Sequence, residues 1–279
     1  MIVFLYSDQV HELKQCKNCG HCSFQKMPSL EILSDYYQTK YTEEHFQSSI
    51  QEENVNYYRN HVIELLRFAN LKNAVFLDYG SSYPYFLIEA AKIKGSESIG
   101  VEFDESAREF GKSMGIKMLH PSQLDQIDDQ SIDIIRCSHV LEHDTDPKQT
   151  TFILLSKLKY GGIIYITQPN FPQIDLQSNQ EFLFDVVFPE HLHYFTPASL
   201  ICLTKNVGLK TLRFFTHSAN SLTDNIDISS LLNEPQLNQY KQELASVSDD
   251  FFGKQNNYPY FVGMNSLYVG VKEVPTSHC

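Results

Sequence analysis

Two segments of this 279-residue chain gather side chains able to move protons or hold ligands: Ser138-His-Val-Leu-Glu-His143 and Phe188-Pro-Glu-His-Leu-His-Tyr-Phe195. In the second, Glu190 and His191 are candidate proton acceptors, because an imidazole near its ordinary pKa exchanges protons at neutral pH. One of the two, His191 or His193, is expected to face a substrate. His139 and His143 stand at i and i+4, a spacing that suits a metal on a helix face, but the segment follows a strand end and no metal is expected there. A third cluster, Cys16-Lys-Asn-Cys-Gly-His-Cys22, contains the C-x-x-C-G turn of a zinc knuckle. Structural zinc takes four ligands, and a ribbon normally has two such knuckles. Only one is present. Cys16, Cys19 and Cys22 with His11 or His21 could complete a site, so two readings stay open: bound zinc, or a metal-free remnant with ordinary thiols. A redox role is not expected, since the C-x-x-C does not open a helix after a strand.

Two acids close short apolar runs. Asp78 ends Ala74-Val-Phe-Leu-Asp78 and leads into Tyr-Gly-Ser-Ser-Tyr-Pro-Tyr-Phe86. Gly80 would let backbone approach a ligand closely, and Ser81 and Ser82 keep the turn narrow. The G-x-G-x-x-G of dinucleotide enzymes is missing, so neither pyrophosphate binding nor a nicotinamide dehydrogenase is supported. Glu102 ends the run Ser98–Glu102. A carboxylate at a second strand end can accept two hydrogen bonds from ribose hydroxyls. It could equally cap the helix that follows.

These residues need a scaffold of alternating elements. Glu53–Asn70 has helical apolar spacing at Val55, Tyr58, Val62, Leu65, Leu66 and Ala69. Strands are expected at Ala74–Asp78, Ser98–Glu102, Lys117–Leu119, Ile132–Cys137, Gly162–Thr167 and Leu209–Phe215. Helices are expected at Tyr83–Lys94, Glu105–Met114, Lys148–Lys157 and Pro197–Asn206. Asn265–Val271 should return as a last strand, a hairpin partner of Leu209–Phe215. The alternation implies an α/β fold: a Rossmann-like, doubly wound, mostly parallel seven-stranded sheet with helices on both faces. Residues 1–51 form a small N-terminal segment, and 52–279 the main domain. A polar insertion at about 217–263 carries a helix near Gln236–Ala245.

The set Asp78-x-Gly80, Gly100-Val-Glu102, Ile132–His143 and Lys159-Tyr-Gly-Gly-Ile-Ile-Tyr-Ile166 resembles the class I S-adenosylmethionine-dependent methyltransferases. The likeness covers about Ala74 to Phe215, with Asn265–Val271 fitting the last strand. It is nearest the branch whose fourth strand runs into "HVLEH" and whose acceptor loop reads "EHL-x-YF", which includes sugar C-methyltransferases. The resemblance implies that Asp78, Gly80 and Ser82 border the methionine part of the cofactor, that Glu102 holds the ribose, and that Phe103 lies beside the adenine. Ser122–Leu124 fall where the family contacts adenine, and Ser138 and His139 belong to the structural floor of the pocket. Glu190 and His191 match a catalytic Glu-His pair, while Phe188 stands where that run has Tyr. Ser82 and Pro84 replace the family's glycines. Pro at the first turn of a helix loses no paired N–H, so the loop should survive. The stretch Leu13–Tyr41 is similar to the second half of a small zinc-binding domain. Methyl transfer from S-adenosylmethionine to a small molecule, such as a sugar or nucleotide-sugar, is the expected activity. The alternative is a non-catalytic relative with a degenerate cofactor loop.

Composition agrees with this. Charged residues make up 20% and apolar residues 42% of the chain, ordinary globular usage. A net charge of −12 argues against nucleic-acid or anionic-membrane partners. No apolar run approaches the ~18–20 residues of a membrane span. Met1–Tyr6 is too short, and lacks the basic start, for a signal peptide. A cytoplasmic location is expected.

Overall fold

A computed structural model describes residues 2–6, 9–29, 32–33, 52–171, 190–217 and 265–274. The expected insertion, its helix near Gln236–Ala245, and Phe188 lie outside the described residues. The main sheet contains β4 (Val75–Tyr79), β5 (Glu97–Val101), β6 (Lys117–Leu119), β7 (Ile132–Ser138), β8 (Leu158–Pro169), β10 (Leu209–His217) and β11 (Asn265–Lys272). Their order is β10-β11-β8-β7-β4-β5-β6. The run from β8 to β6 is parallel. β11 is antiparallel to both β8 and β10, so the expected terminal hairpin pairing is present. The chain winds from β4 outward to β6, then returns to place β7 on the other side of β4. That reversal opens a crevice beyond the carboxyl ends of β4 and β7.

Neighbouring side chains along each strand feed opposite faces of the sheet. Phe76, Ile134 and Ile163 pack with Val62, Leu65 and Leu66 of α1 (Glu52–Phe68) and Phe86 and Leu87 of α2 (Tyr85–Ala91). Leu77, Ile135 and Ile164 pack with Leu154 of α4 (Pro147–Lys157) and Leu200 of α5 (Pro197–Asn206). The expected strands and helices stand within a few residues of their expected ends, which is ordinary scatter at element boundaries. Pro84 sits at the N-cap of α2, one place ahead of its first turn. There it removes no helical N–H, and its own carbonyl accepts from Ile88 N at 2.9 Å. α3 (Glu105–Ser113) follows β5, its N terminus capped by Asp104 accepting from Ala107 N at 2.7 Å.

The N-terminal residues form strands that their sequence does not announce. β1 (Ile2–Tyr6), β2 (Gln9–Gln15) and β3 (Cys22–Phe24) make an antiparallel sheet, and β9 (His193–Tyr194) joins it against β3. Leu13, Cys22 and Phe24 enter the same core cluster as Leu77 and Ile135.

Candidate active site

The crevice is lined by three turns. The first leaves β4 at Gly80. Gly80 N and Ser81 N both donate to Val101 carbonyl, at 2.8 and 3.1 Å, tying the turn to the end of β5. Gly80 has φ +72, and a Cβ there would stand 2.3 Å from Val140 Cγ2. Only glycine permits both the backbone and the approach. Ser82 holds φ +46.

The second turn leaves β5 at Glu102. Its carboxylate accepts from Ser82 N at 2.6 Å, Phe103 N at 2.7 Å and Asp104 N at 2.9 Å. Burial raises its pKa, opposed by those three backbone donors. A carboxylate offers about four lone-pair sites, so room remains for a ligand hydroxyl. Phe103 is 51% exposed, and its ring centroid lies 5.3 Å from that of His120, which follows β6. His120 is a candidate site residue that the sequence reading missed. Its signal was its place: it follows β6 as Glu102 follows β5. Ser122 N donates to His120 Nδ1 at 3.2 Å, which joins the Ser122–Leu124 stretch to this ring pair.

The third turn follows β7 and runs from His139 to His143. His139 has φ +54, and its N–H donates to Thr167 carbonyl at 2.7 Å. The loop carrying residues 190–193 hangs on this turn. Leu192 N and His193 N donate to Glu142 carbonyl at 2.7 and 3.0 Å, and His143 Nδ1 donates to Glu190 carbonyl at 2.8 Å. The His143 and His191 rings therefore meet edge to face, with centroids 4.8 Å apart. Burial, then the neighbouring His143, lowers the pKa of His191, so its imidazole is neutral at pH 7. His193 turns the other way. Its Nδ1 lies 3.1 Å from His21 Nε2, so it helps hold the N-terminal sheet.

Asp78, expected to border the methionine part of the cofactor, keeps its carboxylate inside the core. It is 0% exposed, and both oxygens accept from Arg136 Nη1, at 2.9 and 3.0 Å. Asp78 and Arg136 are register partners on β4 and β7, and their side chains share the face that packs on α1 and α2. The signal was a lone arginine inside the apolar run Ile132–Cys137. The cysteine cluster, for which two readings stood open, lies at the turn into β3. Cys16 N donates to His21 carbonyl at 2.7 Å and Gly20 N to Cys16 carbonyl at 2.9 Å, so the knuckle turn forms. Cys22, however, is buried in the core with its Sγ donating to Gly20 carbonyl at 3.4 Å. Burial pushes the Cys19 thiol up to about 11 and the Cys22 thiol up to about 12. Structural zinc needs ligand atoms that converge on it, and among the described residues Cys16, Cys19 and Cys22 do not form such a group.

A glycine turn, an acid at the second strand end and an exposed aromatic pair, all at the switch point of a parallel sheet, define a Rossmann-like site for a nucleoside-containing cofactor. Sequence comparison narrows the class. The methyltransferase domain family matches residues 51–213, more than half of the chain, and the chain belongs to that family, as a class I S-adenosylmethionine-dependent methyltransferase. No curated protein matches it. Among solved structures, an S-adenosylmethionine-dependent methyltransferase from Archaeoglobus fulgidus is 23% identical, with a TM-score of 0.50 over 77% of this chain and 94% of that one. One from Thermotoga maritima is 14% identical, with a TM-score of 0.51 over 88% and 100%. The methyltransferase solved in complex with the Haloferax volcanii Trm112 methyltransferase activator is 15% identical, with a TM-score of 0.52 over 81% and 94%. At these identities the likeness is one of fold. None of the described helices is long and apolar enough to cross a membrane.

The residues present fit S-adenosylmethionine. Ser81 Oγ is buried at the glycine turn without a hydrogen-bond partner, and the Glu102 carboxylate keeps a lone-pair site for a hydroxyl.

Proposed function

We propose that this chain methylates a small, hydroxyl-rich acceptor such as a sugar or nucleotide-sugar. One observation carries the reading: the turn from His139 to His143 touches both halves of the site. Val140 packs at Gly80 on the cofactor side, while Glu142 and His143 hold the loop with His191 on the other. Donor and acceptor thus meet across a single rigid turn, and alignment of this kind lowers the barrier by removing orientational freedom. Bound S-adenosylmethionine would supply an activated methyl group on sulfur. Glu102 would take a ribose hydroxyl, and Phe103 with His120 the adenine face. His191, neutral and beside Glu190, would take up the acceptor proton or orient its oxygen. Asp78 and Arg136 position β4 and β7 beneath the turn. Within the N-terminal segment, β3 braces the acceptor loop by pairing with β9. The charge of −12 supports a soluble acceptor over nucleic acid or an anionic membrane surface.

A second reading rests on Ser82. Its N–H occupies Glu102, so a loop closed on its own acid would make a non-catalytic binding protein. The test uses S-adenosylmethionine labelled in the methyl group, offered with pools of nucleotide-sugars, free sugars or RNA. The reading expects label in a small-molecule product together with S-adenosylhomocysteine. Label appearing only in RNA, or no turnover with any pool, would overturn it.

A further inference from the structure

Glu142, His143 and His191 bring a carboxylate oxygen and two ring nitrogens within 4.8 Å of one another. Glu142 is 2% exposed, and neither of its side-chain oxygens completes a hydrogen bond. Its nearest partners are His139 Nδ1 at 3.3 Å and His143 Nε2 at 3.8 Å. His143 Nδ1 faces the Glu190 carbonyl, which only accepts, so that nitrogen carries the proton. Nε2 is the ring atom that faces Glu142. A backbone carbonyl holding the distal ring nitrogen is the outer-shell pattern of metal-ligating histidines. A cation among the three groups would satisfy the buried carboxylate.

We infer that Glu142, His143 and His191 form a binding site for one divalent transition-metal ion at the acceptor side of the crevice. Two imidazoles and one carboxylate suit Zn²⁺, Fe²⁺ or Co²⁺ better than Mg²⁺ or Ca²⁺, which favour all-oxygen shells. Three protein ligands leave a position open for an acceptor oxygen, whose proton a bound cation would acidify. This deepens the acceptor reading above, and recasts His191 as a ligand. The i, i+4 pair His139 and His143 does not itself make the site; His191 completes it from a loop 48 residues beyond His143.

The test strips the full chain with a chelator and titrates it with Co²⁺ alone, reading visible absorption. One equivalent should bind and be displaced by Zn²⁺. His191→Asn should weaken binding at least ~10-fold, the scale of losing even an outer-shell partner. His191→Cys should keep the ion and add a sulfur-to-cobalt charge-transfer band, a gain that misfolding cannot mimic. The pair Cys16→Ser, Cys19→Ser should leave uptake intact. Failure to take up Co²⁺, or uptake indifferent to both His191 variants, would overturn the site. S-adenosylmethionine is titrated into the same stripped protein. Cofactor binding and methyl transfer without cobalt uptake would sink the metal site alone. Cobalt uptake without cofactor binding would sink the methyl-transfer reading alone.

Discussion

Replacing Gly80 by alanine should damage both stability and the site, by an amount that divides into two parts. The backbone at φ +72 disfavours an L-residue by ~1–2 kcal/mol. The new Cβ would lie 2.3 Å from Val140 Cγ2, against an ordinary carbon contact of ~3.5–4.0 Å. Relieving such a clash in a packed region costs ~1–3 kcal/mol. Gly80→Ala should therefore lose ~2–5 kcal/mol, a large share of the ~5–15 kcal/mol that holds a typical domain together. Urea unfolding should show a lower midpoint with an unchanged slope. Val140→Ala in the same chain removes the clash and leaves the backbone strain. The double variant should thus recover ~1–3 kcal/mol of coupling in a mutant cycle. Because Val140 belongs to the turn that carries Glu142 and His143, cofactor affinity should fall in Gly80→Ala and return in part in the double variant. A loss below ~0.5 kcal/mol, or a Val140→Ala substitution that rescues nothing, would refute the close approach.

Three further outcomes follow from the geometry. His61 is 6% exposed among Tyr57, Phe86 and Tyr165, neither ring nitrogen has a partner, and burial pushes its pKa from 6.5 down to about 3. Below pH 6.5 the unfolded chain takes a proton that the folded chain refuses, so stability falls by up to ~1.4 kcal/mol per pH unit toward pH 3. His61→Phe should remove ~2 kcal/mol of the loss between pH 6.5 and 5 in urea unfolding; an unchanged pH slope would place the imidazole in water. Arg136→Met should cost ~3–5 kcal/mol, since it strands the Asp78 carboxylate in the core, and adding Asp78→Asn should restore most of it. His191→Asn should lower turnover by ~10²–10⁴-fold with cofactor affinity intact. His193→Asn should loosen the contact with His21 and affect turnover far less; the reverse pattern in steady-state assays would mean that the loop faces the other way.

The sheet was legible because its central strands are buried on both faces and read as short apolar runs between helical patterns. The pairing of Leu209–His217 with Asn265–Lys272 was legible because both read as strands on either side of the insertion. β1 and β2 were not legible, although they are sequence neighbours, because the polar residues interrupting Gln9–Gln15 blur its alternation. The two-residue strand His193–Tyr194 exists only through β3, a contact spanning most of the chain. Gly80 and Glu102 could be placed from strand ends alone. The ion pair of Asp78 was not legible, because its partner Arg136 becomes its neighbour only through the register of β4 and β7. Glu142 looked ordinary in sequence, and its isolation becomes visible only when the loop carrying His191 closes over it.

The claim that unites these residues is that the crevice binds S-adenosylmethionine, with Glu102 at the ribose. Calorimetric titration of wild type and Glu102→Gln tests it most directly, since glutamine keeps the side chain's shape and removes its charge. The account predicts micromolar binding of S-adenosylmethionine and S-adenosylhomocysteine to wild type. It predicts a loss of ~1.5–3 kcal/mol in the variant, the scale of a hydrogen bond to a charged group. Silence in wild type, or equal affinity in Glu102→Gln, would contradict it.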